Sequence, residues 1–81
     1  MNIFNNEISA AKTTTGFLMK AGQTLTVNFS ATGSVDIEYK SSDNWILLGS
    51  VINDSAQVAN GNMVVRLKIT ANTGEIDAAI T

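Results

Sequence analysis

The sequence predicts a small all-β protein, an antiparallel β-sandwich or barrel, and three observations carry the prediction. Several segments alternate apolar and polar residues with a period of two, the pattern of a half-buried strand. Clusters of Gly, Asn, Asp and Ser punctuate the chain between them at short intervals. The chain has 81 residues, enough for one domain with one core.

Residues 1–12 are polar and irregular. Ile3, Phe4 and Ile8 follow no strand period, so the segment reads as an extended N-terminal arm whose apolar residues anchor on another chain. A helical turn over 8–12 is the alternative, though short for an independent helix. Residues 13–81 then form a single β domain. Within 13–20, the Thr run and Phe17 favour a strand and Gly16 marks a bend. Ala21-Gly22-Gln23 reads as a turn.

Residues 24–30 give the cleanest strand, with Leu25, Val27 and Phe29 on the core face. A one-residue slip would expose all three, so the register is firm. Residues 34–40 repeat the pattern, with Val35, Ile37 and Tyr39 inward and Asp36, Glu38 and Lys40 outward. The short connection predicts that these two strands are antiparallel neighbours.

A polar turn, Ser41-Ser42-Asp43-Asn44, leads into Trp45 and the unbroken apolar run Ile46-Leu47-Leu48. Loss of alternation predicts a central strand covered on both faces. Trp45 is expected to plug the core between Leu25, Val27, Phe29 and the row Val65, Leu67, Ile69. Residues 56–59 make at most a short strand. Asn60-Gly61 is a type I′ turn signal. Residues 62–70 put Met63, Val65, Leu67 and Ile69 inward, and 75–81 put Ile76, Ala78 and Ile80 inward. Pairing of these last two strands would set Arg66 and Lys68 against Glu75 and Asp77. The sum is about six or seven strands.

The composition narrows the chemistry. The chain has no His and no Cys, which removes the commonest general base, the commonest metal ligand, disulfides and thiolate sites. A net charge of −2 offers no basic stripe for nucleic acid. No apolar run reaches the roughly 20 residues that span a bilayer, and residues 1–7 lack the pattern of a secretory signal. The sequons at Asn28 and Asn53 then read as chance matches. Ser9-Ala10-Ala11-Lys12 and Ser42-Asp43-Asn44 match two serine-hydrolase signatures, but the K-T-G element is missing and a domain this small lacks room for the pocket. Asp36/Glu38 and Glu75/Asp77 supply two carboxylates each, too few for a calcium loop. A Trp45–Tyr39 platform for sugar stacking competes with a core role for both. No catalytic, cofactor-binding or metal-binding residue is assigned, and an enzyme is not expected. A core this small supplies only about 3–5 kcal/mol, so oligomerisation or docking on a larger body is the expected remedy. Only 15% of residues are charged, against about 25% in an average domain, which fits equally a neutral surface to bury in an interface and a Thr/Ser/Asn-rich solvated β surface.

Residues 21–81 show an alternating strand before a short turn, Gly33-Ser34-Val35-Asp36-Ile37-Glu38-Tyr39, and Ser42-Asp43-Asn44-Trp45 followed by an apolar pair and Gly49. Gly61 then leads to Arg66-Leu67-Lys68-Ile69, and Thr73-Gly74 precedes the last strand. With this order of features the segment resembles small virion proteins of tailed bacteriophages. The chain departs from that pattern by lacking a clear Gly or Pro before Arg66. The resemblance implies a non-enzymatic structural protein, made in the host cytoplasm and carried in the virion on the capsid surface. It implies a capsid decoration (cement) protein that stabilises the head by binding the major capsid protein, as a homo-oligomer with a trimer favoured. On that reading Ile3, Phe4 and Ile8 anchor the arm, and the backbone at Thr13, Thr14 and Thr15 adds a strand to a neighbouring sheet. A carbohydrate- or receptor-binding module of a head fibre or tail is the alternative.

Overall fold

In the structure, a computed structural model describing residues 1–81, the chain forms nine strands and no helix: β1 (Asn2–Glu7), β2 (Lys12–Thr13), β3 (Phe17–Met19), β4 (Thr24–Phe29), β5 (Gly33–Ser41), β6 (Asn44–Val51), β7 (Ser55–Val58), β8 (Met63–Asn72) and β9 (Ile76–Ile80). They build two antiparallel sheets. One has the order β1-β9-β4-β7; the other has the order β2-β8-β5-β6, with β3 also on β8.

The pairings follow one rule. β1 pairs β9, β2 and β3 pair β8, β4 pairs β7, and β5 pairs β6. The chain is therefore a single long antiparallel hairpin. Rolling that hairpin over itself adds the contacts β4·β9 and β5·β8, which close the two sheets. Counted with β2 and β3 as one interrupted strand, this is the double Greek key of a jelly roll.

The hairpin tip is Ser42-Asp43. Ser41 pairs Asn44, and Ser42 has φ +56°. Positive φ at the first central residue alone is the pattern of a II′ turn, whose twist matches that of the flanking strands.

The core lies between the sheets. Phe4, Leu25, Val27, Ile76, Ala78 and Ile80 come from the first sheet, and Met19, Val35, Ile37, Val65, Leu67 and Ile69 from the second. Phe29 and Tyr39 pack half-buried against it. Of the expected core, only Trp45 is out of place: it lies half-buried on the outer face of the second sheet, opposite Lys40. Phe4, Met19 and Ala59 are core residues that alternation did not reveal.

Several expectations need correction. The N-terminal arm is β1, an integral strand with Phe4 only 3% exposed. Its two register irregularities destroy the period of two that would have announced it. The Met1 ammonium and the Ile80 carbonyl are 2.8 Å apart, and Ile80 N donates back to Met1 O at 2.9 Å. The 44–51 segment is not a central strand; β6 is the edge of its sheet. An apolar run reads alike whether its own chain covers it or not. The pairs 24–30 with 34–40 and 62–70 with 75–81 are not hairpins, because each connection crosses from one sheet to the other. Arg66 and Lys68 consequently meet Glu38 and Asp36 of β5, not Glu75 and Asp77. Neither Asn60 nor Gly61 has positive φ, so the I′ turn is absent; β7 and β8 belong to different sheets and need no tight turn.

Candidate interaction surface

The two sides of the sandwich are built differently. On one side run β1 and the β2/β3 line. That side carries the usual devices against unwanted strand pairing. β1 is irregular at two places, β2 and β3 are two and three residues long, and charges stand on or beside them at Glu7, Lys12 and Lys20.

Glu7 organises this protected side. Lys12 Nζ donates to its Oε1 at 2.8 Å and Ser9 Oγ to its Oε2 at 2.7 Å. These bonds, Lys12 first, hold the carboxyl down to about 2 from 4.5. The Asn72 amide then ties the crossover to β8 by donating to the carbonyls of Glu7 and Ser9. A depressed pKa stabilises the folded state fully above pH 4.5, and this contribution disappears as pH falls towards 2. A carboxyl NMR titration of Glu7 is expected to give a midpoint well below its unfolded value. Glu7→Gln should flatten the stability profile between those limits.

The other side carries β6 and β7, the outer strands of the two sheets. Five of the eight exposed large hydrophobic residues sit here: Ile46, Leu47, Leu48, Ile52 and Val58. Residues 44–53 contain no charge. Leu48 is the extra residue of a bulge, since Ile37 pairs Gly49 while Glu38 pairs Leu47. Between the two strands an apolar cleft of about 310 Å³ leads into the core, lined by Met19, Leu25, Ile37, Leu48, Val58 and Met63 among others.

Around the corner, on the outer face of the second sheet, Trp45 lies with the Arg66 guanidinium 4.4 Å from its ring centre. Arg66 Nε also donates to Glu38 Oε1 at 2.7 Å, with both side chains largely covered. Gly16 permits the close approach of the β2–β3 link to this cluster. A methyl there would come within 2.8 Å of Val64 Cγ1 and 3.1 Å of the indole Cη2. Arg66→Ala is expected to cost about 1–2 kcal/mol through the lost stack and ion pair. It should also change the Trp45 emission, and Arg66→Lys should not restore it, because a lysine cannot stack its charge as a plane. Unchanged emission in Arg66→Ala would mean that the stack is absent in solution.

The six residues expected at an interface are dispersed. Phe4 is buried and Ile3 half-buried against the core, whereas Ile8 is 74% exposed. Thr13 pairs Lys68 within its own sheet. Thr14 N donates to Leu67 O at 2.9 Å, and Thr14 Oγ1 accepts from Leu67 N at 3.0 Å. One side of the Thr13–Thr15 run is thus already spent on β8. Ser9 and Lys12 of the hydrolase-like match both bond Glu7, and Ser42-Asp43-Asn44 is the hairpin turn. Asp36 accepts from Ser50 Oγ and Asp77 from Asn6 N. No three His, Cys, Asp or Glu side chains converge. Ser55 Oγ is buried without a hydrogen-bond partner, and the chain has no imidazole to activate it. Comparison with protein-family models, curated proteins and solved structures gives no match to this chain.

Proposed function

We propose that the protein is a non-enzymatic virion structural protein of a tailed bacteriophage, a decoration protein that binds the outer capsid surface and stabilises the head. The observation that supports it most is the β6–β7 side, where five exposed apolar side chains and an uncharged strand offer area to a partner. Apolar side chains exposed along two uncovered strand edges suit an interaction site. The likeness of residues 21–81 to phage virion proteins supplies the virion context, and jelly rolls are a common architecture of viral capsid domains. The contact surface moves, on this reading, from the N-terminal segment to the β6–β7 side. Repetition over many capsid sites would multiply a modest single contact through avidity.

The test is co-sedimentation of the purified protein with decoration-free capsids of the phage that encodes it. Saturable binding that raises the temperature of capsid rupture is the expected result. Absence of binding at saturating protein would sink the proposal.

A second reading, a carbohydrate- or receptor-binding module, draws on the placement of Trp45 outside the core. Titration with host surface glycans should then quench Trp45 emission saturably, and a flat titration counts against it.

A further inference from the structure

We infer that Asn60-Gly61 is a site at which the protein modifies itself: the Asn60 side-chain amide is lost as ammonia, and position 60 becomes a mixture of aspartate and isoaspartate. The inference is independent of the virion reading.

The chemistry needs only the chain and water. The Gly61 backbone nitrogen attacks Asn60 Cγ. The N–Cγ bond forms, the Cγ–Nδ2 bond breaks, and Nδ2 leaves as ammonia with the proton given up by the Gly61 amide. A cyclic imide remains, and water opens it at one of its two carbonyls. Opening at Cγ gives aspartate. Opening at the main-chain carbonyl gives isoaspartate, in which the backbone runs on through Cγ. Either way one amide is exchanged for one carboxylate, and asparagine counts among the thermolabile residues.

The structure leaves both reacting groups free. Of the nine Asn residues, only Asn60 precedes a Gly, which has no Cβ to crowd its nitrogen. Both residues are exposed, in the link between β7 and β8. Neither the Gly61 N–H nor the Asn60 side chain takes part in a hydrogen bond. Their neighbours are tied down. Ala59 N donates to Gln23 O at 3.0 Å, and Ala59 O accepts from Gly22 N at 2.9 Å. Asn62 Oδ1 accepts from Ala21 N at 3.0 Å. Between these anchors, two residues keep the rotational freedom that ring closure needs.

The other Asn residues are less well placed. Asn2, Asn5, Asn6, Asn28 and Asn44 lie in strands, where pairing fixes the main chain. The Asn72 amide is held by the carbonyls of Glu7 and Ser9. Asn53 and Asn62 precede Asp54 and Met63, whose side chains hinder attack by the following nitrogen.

The product changes the rim of the apolar cleft. Asn60 and Gly61 line its mouth beside Val58 and Met63, and no residue of the lining is charged. A carboxylate therefore arrives where none stood, and the net charge of −2 becomes more negative by one. In isoaspartate an additional carbon also enters the backbone between Ala59 and Asn62, the two anchors of the 20–23 turn.

Gly61 supplies a clean test. A Cβ built there meets nothing within 4 Å, and its φ is not positive, so Gly61→Ala fits the fold while hindering the attacking nitrogen. The full chain is incubated at physiological temperature in mildly alkaline and mildly acidic buffer, and followed by intact mass and by fragmentation of the peptide spanning 60–61. The expected result is a gain of one dalton at position 60, faster in alkali because the attacking amide must lose its proton. Gly61→Ala, with a native circular dichroism spectrum, should slow the gain by roughly tenfold or more. Asn60→Gln, which must close a six-membered ring, should slow it as well and carries the test if Gly61→Ala misfolds. A synthetic peptide of residues 56–66 supplies the rate of the unconstrained chain. A native protein that stays intact while this peptide converts overturns the inference, because the fold then keeps the two groups apart. Conversion at another Asn first overturns it too, as does a folded Gly61→Ala that converts at the parent rate.

Discussion

Deleting residues 1–7 is expected to abolish folding. These residues form an edge strand paired along β9, and Phe4 fills the core from that strand at 3% exposure. Phe4→Ala alone should cost about 3–5 kcal/mol, the usual penalty for emptying a buried aromatic site. A core of this size supplies only about 3–5 kcal/mol, so the single substitution removes most of it. Removal of the strand also leaves the amide and carbonyl row of β9 unpaired beside an opened core. Urea denaturation followed by far-UV circular dichroism measures both variants. A truncated chain with a native spectrum and an unshifted, cooperative transition would show that β1 is dispensable.

Leu67→Ala is expected to be more damaging than Trp45→Ala, which reverses the order that residue size suggests. Leu67 is fully buried at 0% exposure, on β8, which has partner strands on both sides. Its truncation should cost about 2–5 kcal/mol, with the cavity term at its largest where strands cannot collapse inward. Trp45 lies outside the sandwich and stays half-exposed. It loses part of its apolar contact and the Arg66 stack, about 1–2 kcal/mol together. Chemical denaturation of both variants, read by circular dichroism since one lacks the fluorophore, decides the order. A Trp45→Ala variant less stable than Leu67→Ala would place the indole in the core after all.

The sequence was readable where a strand has one face in the core and one in water. β4, β5, β8 and β9 alternate for that reason, and their inward rows, from Leu25 to Ile80, lie where alternation predicts. β1 was unreadable because its irregular pairing puts Ile3 and Phe4, adjacent residues, both against the core. Trp45 was misplaced although a local signal existed. A two-residue turn at Ser42-Asp43 fixes Trp45 opposite Lys40, and Lys40 belongs to the polar face of an alternating strand. The open β6–β7 side was not readable at all. Its existence depends on which strand ends each sheet, and that order is set by non-local pairings such as β1 with β9. Ile46-Leu47-Leu48 therefore looked like interior.

The rolled hairpin also leads to an expected order of events in folding. The β5–β6 pair closes a loop of two residues, whereas β1 and β9 meet only across almost the whole chain. Closure entropy grows with loop length, so zipping outward from Ser42-Asp43 lets each pairing inherit the closure of the one before. The chain ends are then expected to join last and part first. Phe4→Ala should accordingly quicken unfolding while hardly slowing refolding, whereas Ile37→Ala, beside the tip, should slow refolding. A protein tethered by its two neighbouring ends would be held at the seam that opens most easily.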